Sequence, residues 1–200
     1  LPALGQKNIS DLPEARLKLE RSLMLLTEYL EHYTVSDYVQ WPGDWELIQG
    51  RAVAMTPSPG LTHQLVSGNL FRHLHEQMDN CPMCLVLYET DWEIAQDTVV
   101  RPDIMVVCNQ TAERVTSRPE LVAEVVSQST AHRDERVKFY LYAQEGVPWY
   151  LLVYPESKKV KIYGLQNGHY SLIADLSQDV WPFAIQDCNG EIDFSRLWID

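Results

Sequence analysis

Apolar residues recur along this chain with two distinct periods. Leu19, Leu23, Leu26 and Leu30 return every three or four positions with Glu and Arg between them, which predicts an amphipathic helix over residues 11–33. Thr34-Val35-Ser36-Asp37 reads as a second helix start, running to about Trp41 before Pro42-Gly43 breaks it. Residues 45–55 place Gly50 in a polar gap between two short apolar runs, a hairpin pattern, and residues 56–60 are loop. Leu61, Leu65, Leu70, Leu74 and Met78, flanked by Val66 and Phe71, mark a helix over 62–79. Residues 84–95 and 98–108 read as strands joined at Gln96-Asp97. The mostly apolar run 121–127 suits a buried central strand. Ser129 or Thr130 can cap a helix that stops at Gly146. Strands at 148–154, 159–165 and 170–176 follow, turning at Glu156-Ser157 and Asn167-Gly168. No repeats or linkers interrupt this order. The expected architecture is one α/β domain over 34–200 preceded by a helical extension over 1–33.

Composition narrows the possibilities. The 200 residues are 46% hydrophobic and 22% charged, ordinary globular usage that excludes a disordered chain, a coiled coil or a fibre. No apolar run approaches the roughly 18 residues of a membrane span. Leu1 to Lys7 lack the marks of a secretory signal, and four Cys do not suggest a disulfide framework, so a reducing, cytoplasmic setting is expected. The net charge of -12 is uneven. Residues 1–100 carry 6 basic and 14 acidic groups, residues 101–161 carry 9 and 8, and residues 162–200 carry 1 and 6. Tight, non-specific nucleic-acid binders usually display a basic patch, and none is visible in the sequence. A bound metal ion can offset such local repulsion.

Three polar residues stand where a plain core would not place them. Asp103 sits between Arg101-Pro102 and the strand run Ile104 to Val107, and Glu124 lies in mid-strand between Leu121-Val122-Ala123 and Val125-Val126. A buried carboxylate must be neutralised, pair with a cation or bind a metal ion. Two on neighbouring strands point to a hard divalent ion with oxygen ligands. Lys138, on the following helix, shares a face with Asp134 and Tyr142 and could orient water or offset developing charge near such an ion. Each residue also has a plainer reading. Asp103 could bond backbone amides at a strand end, Glu124 could form a buried salt bridge to Lys138 or Arg133, and Lys138 could simply pair with Asp134.

Taken together, Pro102-Asp103, Glu124-Val125-Val126 and a helical lysine resemble the PD-(D/E)xK nuclease superfamily. More narrowly, the chain resembles the Uma-two family of restriction-endonuclease-like proteins over about residues 34–176. The likeness is carried by WELIQGRAVAM (45–55), Thr62-His63-Gln64, DTVVRPDIMVV (97–107), LVAEVVSQST (121–130), DERVKFYLYAQEGVPWYLLVYP (134–155) and KKVKIYGLQNGHYSL (158–172). The resemblance implies a restriction-endonuclease-like core, a mixed central sheet flanked by helices with C-terminal antiparallel hairpins. It implies a Mg²⁺ or Mn²⁺ site and an endonuclease that hydrolyses phosphodiester bonds in DNA. Asp103 matches the PD aspartate and Glu124 the second acid. Val126 stands where the superfamily motif has lysine, and Lys138 takes that role from the next helix. Glu46 is implied as an additional ligand and the backbone carbonyl of Val125 as another, His63 matches the family's helix-opening histidine, and Tyr142, on the same helix face as Lys138, is a candidate accessory residue beside it.

Competing readings remain open at the level of sequence. The acidic balance and the missing lysine at 126 suit a non-catalytic binding or assembly module on the same scaffold. Other hydrolase classes lack support, since no Gly-x-Ser-x-Gly, Walker loop or dinucleotide fingerprint occurs. Cys81-Pro82-Met83-Cys84 has no second pair to complete a zinc site. The aromatic run at 149–154 reads as core strand rather than a stacking platform. Restriction-type enzymes cut two strands by pairing sites, so a homodimer acting on DNA is expected.

Overall fold

Consecutive residues of the central strands send their side chains into two different cores. Ile104, Val106, Leu121, Ala123, Leu151 and Val153 pack on one face of the main sheet, and Met105, Val107, Val122, Tyr150 and Leu152 on the other. A strand covered on both faces needs a nearly continuous apolar run, which is what 104–108 and 121–125 supply. The computed structural model describes residue 16, residues 31–55 and residues 60–199.

The described elements begin with α1 (Val35–Tyr38) and a hairpin of β1 (Trp45–Ile48) and β2 (Arg51–Ala54). Helix α2 (Leu61–Met78) leads to β3 (Cys84–Tyr88), β4 (Trp92–Ala95), β5 (Thr98–Val100), β6 (Ile104–Cys108) and β7 (Leu121–Val125). A π-helical turn (Arg133–Lys138) runs directly into α3 (Phe139–Gln144). Strands β8 (Trp149–Tyr154), β9 (Lys159–Gln166), β10 (His169–Leu176), β11 (Val180–Ile185) and β12 (Cys188–Asp193) complete the order. The main sheet has six strands in the order β10-β9-β8-β7-β6-β3, with β7 and β8 parallel and the other pairs antiparallel. A four-stranded sheet, β2-β1-β5-β4, and the β11–β12 hairpin stand apart from it. Helix α2 and the β11–β12 hairpin cover one face of the main sheet, while α3 and residues of β4 and β5 cover the other.

Most expected elements appear near their expected bounds, and the mixed α/β architecture is the one anticipated. At the Gln49-Gly50 turn φ is 50° and 76°, and at Asn167-Gly168 it is 51° and 79°, the left-handed pair that a tight two-residue hairpin requires. Three expectations need correction. The strands expected over 84–95 and 98–108 are each two strands in different sheets. Glu89, with φ 42°, ends β3, and Arg101-Pro102 separates β5 from β6. The β11–β12 hairpin was not expected, because Pro182 interrupts an otherwise alternating run. It is tolerated on a strand that pairs on one side alone. The cysteines, expected to form no disulfide framework, are joined as Cys81–Cys188 and Cys84–Cys108. Spacing hid this pairing. Cys84 and Cys108 become opposite partners through the β3–β6 register, and Cys188 arrives on the unforeseen hairpin. The helix expected over 11–33 lies, apart from Arg16 and residues 31–33, outside the described residues, and 31–33 are not helical. No described helix is long and apolar enough to cross a membrane.

Candidate active site

The register of two antiparallel strands explains why Asp103 and Glu124 meet. Ile104 pairs with Ala123, so the next position outward sets Asp103 opposite Glu124. Opposed residues in such a pair have Cβ atoms about 4.5–5.5 Å apart. The backbone then ties the two carboxylates together. The Val125 amide donates to Asp103 Oδ2 at 2.7 Å, and the Asp103 amide approaches Glu124 Oε2 at 3.4 Å. From α2, His63 Nε2 lies 3.3 Å from the same Asp103 Oδ2. Asp103 Oδ1 has no hydrogen-bonding partner among the described residues.

A third acid comes from the smaller sheet. Glu46, on β1, is fully buried, and both its oxygens are engaged. Oε1 accepts from the Arg101 amide at 2.9 Å and forms an ion pair with Lys138 Nζ at 2.9 Å, and Oε2 lies 3.1 Å from Arg133 Nη1. Lys138 Nζ also donates to Glu124 Oε1 at 2.9 Å and reaches the Arg101 carbonyl at 3.4 Å. An ammonium has three N–H donors, and these three contacts use all of them. Tyr142, one turn further on, donates its hydroxyl to Glu124 Oε1 at 2.9 Å. The π-helical turn aims these groups. It widens the helix at Arg133–Lys138, and both Asp134 and Lys138 end up buried against the sheet.

Glu46, His63, Asp103, Glu124, Arg133, Asp134 and Lys138 line one cleft of about 470 Å³. With Arg101 committed to Asp44 and Asp91, five carboxylates, Glu46, Glu89, Asp103, Glu124 and Asp134, share the cleft with two cations, Arg133 and Lys138. Burial, more than the charge balance, governs the titration of the acids. Burial pushes the Glu124 carboxyl well above the usual range even with the Lys138 ammonium beside it. Burial also pushes Asp134 up to about 6. Burial acts on Glu46 in the same direction, but Lys138, the Arg101 amide and Arg133 together outweigh it and hold that acid below its ordinary value. Desolvation pulls Lys138 and His63 down. Glu124, Glu46 and Asp134 reverse this for the lysine, and Asp103 reverses it for the histidine, so both lie above their ordinary values.

The cleft thus brings together five of the residues singled out in the sequence, Asp103, Glu124, Lys138, Glu46 and His63, and the sixth, Tyr142, is buried behind it and bonded to Glu124. Of the plainer readings of Glu124, the buried salt bridge to Lys138 is present. Arg133 pairs with Glu46 rather than with Glu124. The part played by Arg101 was not foreseen, although its place directly before Pro102-Asp103 was the available signal. Among the described residues no three His, Cys, Asp or Glu side chains converge as a ready metal cage.

Comparison with known proteins now bears on this geometry. The sequence profile of a family described as "Putative restriction endonuclease", Uma2, matches residues 35–184. The chain belongs to the Uma2 family. The match spans every strand and helix that supplies the cleft, so the cleft of this Uma2 chain is part of the family domain itself. Its fold is similar to that of a protein from Anabaena variabilis ATCC 29413 described as a putative nuclease belonging to DUF820. The TM-score is 0.68 at 15% identity, covering 83% of this chain and 97% of that one. A DrdV–DNA complex aligns with a TM-score of 0.29 at 12% identity over 56% of this chain and 12% of its own, too remote to inform the comparison. No curated protein matches the chain.

Proposed function

We propose that this Uma2 chain is a divalent-metal-dependent endonuclease that hydrolyses phosphodiester bonds in DNA, with Mg²⁺ or Mn²⁺ as its ion. The observation that carries the reading is the Asp103–Glu124 pair, two carboxylates locked side by side in a cleft whose negative charge exceeds its positive charge. The donor set suits a hard ion. Mg²⁺ is commonly held by one or two carboxylates and keeps several waters, so a complete protein cage is not needed. Asp103 and Glu124 would hold it, with the Val125 carbonyl as an additional ligand.

When bound, such an ion supplies positive charge against a phosphate and acidifies water at the site. The protein's own groups supply the rest. Tyr142 and Lys138 fix the Glu124 carboxylate from one side, leaving Oε2 to the cleft. His63 and the Val125 amide fix Asp103. Glu46 anchors Lys138 and Arg133, two cations placed where a phosphodiester would need its charge offset. Its two oxygens are occupied by that task, so Glu46 acts as the organiser of the cations rather than as a ligand. With all three donors of Lys138 used within the protein, the lysine must exchange one of them before it can touch water or substrate.

That last point favours a second reading, in which the same network is a structural core and the chain a non-catalytic binding or assembly module. Titration calorimetry with Mn²⁺ separates the two. The nuclease reading expects one site whose binding is lost in Asp103→Asn, together with Mg²⁺- or Mn²⁺-dependent nicking of plasmid DNA that Glu124→Gln abolishes. No Mn²⁺ binding, or equal nicking by wild type and Glu124→Gln, would sink it.

A further inference from the structure

Most described Lys and Arg side chains of this acidic protein lie against a carboxylate. Arg136 and Lys161 have no such partner among the described residues, and both line a single groove of about 330 Å³. It lies across the helical element from the carboxylate cleft. Arg133, Asp134 and Lys138 face the cleft, whereas Glu135, Arg136, Phe139 and Tyr140 face the groove.

The groove is also aromatic. Tyr140 is 66% exposed, one helical turn beyond Arg136. Phe139 meets Tyr163 edge-on at 5.0 Å between ring centroids, which fixes the wall behind it. Lys161 Nζ sits 5.1 Å from the centre of the Tyr154 ring, and the Tyr154 hydroxyl donates to Glu135 at 2.9 Å. Glu135 thus sets one negative charge against these two cations, and Asp175, opposite Lys161 in the β9–β10 register, is paired with Lys159. Aromatic faces interleaved with free cations are what a single nucleic-acid strand requires. Its bases stack without regard to sequence, and its phosphates take the positive charge.

We propose that this groove docks a single nucleic-acid strand, one base stacking on Tyr140 and its flanking phosphates lying against Arg136 and Lys161. This deepens the nuclease reading and rests on it for its purpose, which is to anchor the strand that leaves the cleft over the shared helix. The binding itself needs no metal and is tested without one.

The test is fluorescence anisotropy of a labelled oligothymidylate with the full chain in EDTA, over a range of salt concentrations. Arg136→Ala and Lys161→Ala should each weaken binding and flatten the plot of log affinity against log salt by about 0.7, the increment of one phosphate contact on a single strand. Tyr140→Ala should weaken binding about tenfold and leave the slope unchanged. All three side chains lie at the surface, and matching melting temperatures would confirm that the variants fold. Failure of the wild type to bind, unchanged affinity in the variants, or equal competition by polyglutamate would overturn the proposal, the last in favour of an acidic peptide. Its failure is distinguishable from failure of the nuclease reading. Nicking that persists while groove variants bind normally defeats the groove alone. Groove-dependent binding in a chain that never nicks DNA defeats the nuclease alone.

Discussion

At the scale of single residues, Asp134 makes the burial of the cleft's acids measurable. Its folded pKa of about 6 lies above its ordinary value of 3.8. Between those values the native state holds a proton that the unfolded chain has released, so this group makes stability fall as pH rises from about 4 to 6. Asp134→Asn removes that component. Its melting temperature should gain on the wild type as pH rises through this window and hold that gain above it, and a constant difference across the window would show that Asp134 does not titrate there. The acids were legible in sequence because Glu124 interrupts an apolar strand and a buried carboxylate demands an explanation. What held them was less legible. Glu46 and Lys138 are 92 positions apart, and no local pattern shows that one ammonium will serve two strands from different sheets.

Among the elements, those with strong local signals were readable: α2 from its leucine stripe, β7 from its apolar run, and the hairpins from Gln49-Gly50 and Asn167-Gly168. The π-helical turn was not, since a 3.6-residue period cannot reveal a widened turn that is stabilised by what it buries. Nor was β12, whose Gly190 has a tertiary purpose. A Cβ there would stand 2.6 Å from Phe183 Cζ and 3.2 Å from Gln77 Cβ. Phe183 is the cross-strand partner of Gly190 and part of the core beneath the hairpin. Gly190→Ala must displace that ring or the helix behind it, and overpacking of this kind costs about 1–3 kcal/mol. Urea unfolding of the variant should show a lower midpoint with an unchanged slope. An unchanged midpoint would mean that the ring moves aside freely.

For the molecule as a whole, the Cys81–Cys188 bond spans a sequence separation of 107. It clips the β11–β12 hairpin to the end of α2, across the core they share. Closing a loop of about 100 residues in the unfolded chain is worth up to about 4.7 kcal/mol in the chain-entropy account. Protein purified without reductant should therefore yield no free thiol on denaturation. Dithiothreitol should lower its melting temperature by several degrees or more, and a serine replacement at Cys188 should reproduce most of that loss. Free thiols in the unreduced protein would show that these pairs are contacts and not bonds.

The two sheets meet at Arg101-Pro102-Asp103. This tripeptide leaves the smaller sheet at β5, enters the larger at β6, and contributes an amide to Glu46 and a carboxylate beside Glu124. Proline restricts the rotation available at its centre. The spacing of Asp103 and Glu124 is set inside the larger sheet by the β6–β7 register, whereas Glu46 belongs to the smaller one. The cleft is therefore a seam between two sheets, and its third acid keeps station with the other two through the Arg101 amide and the Lys138 ammonium.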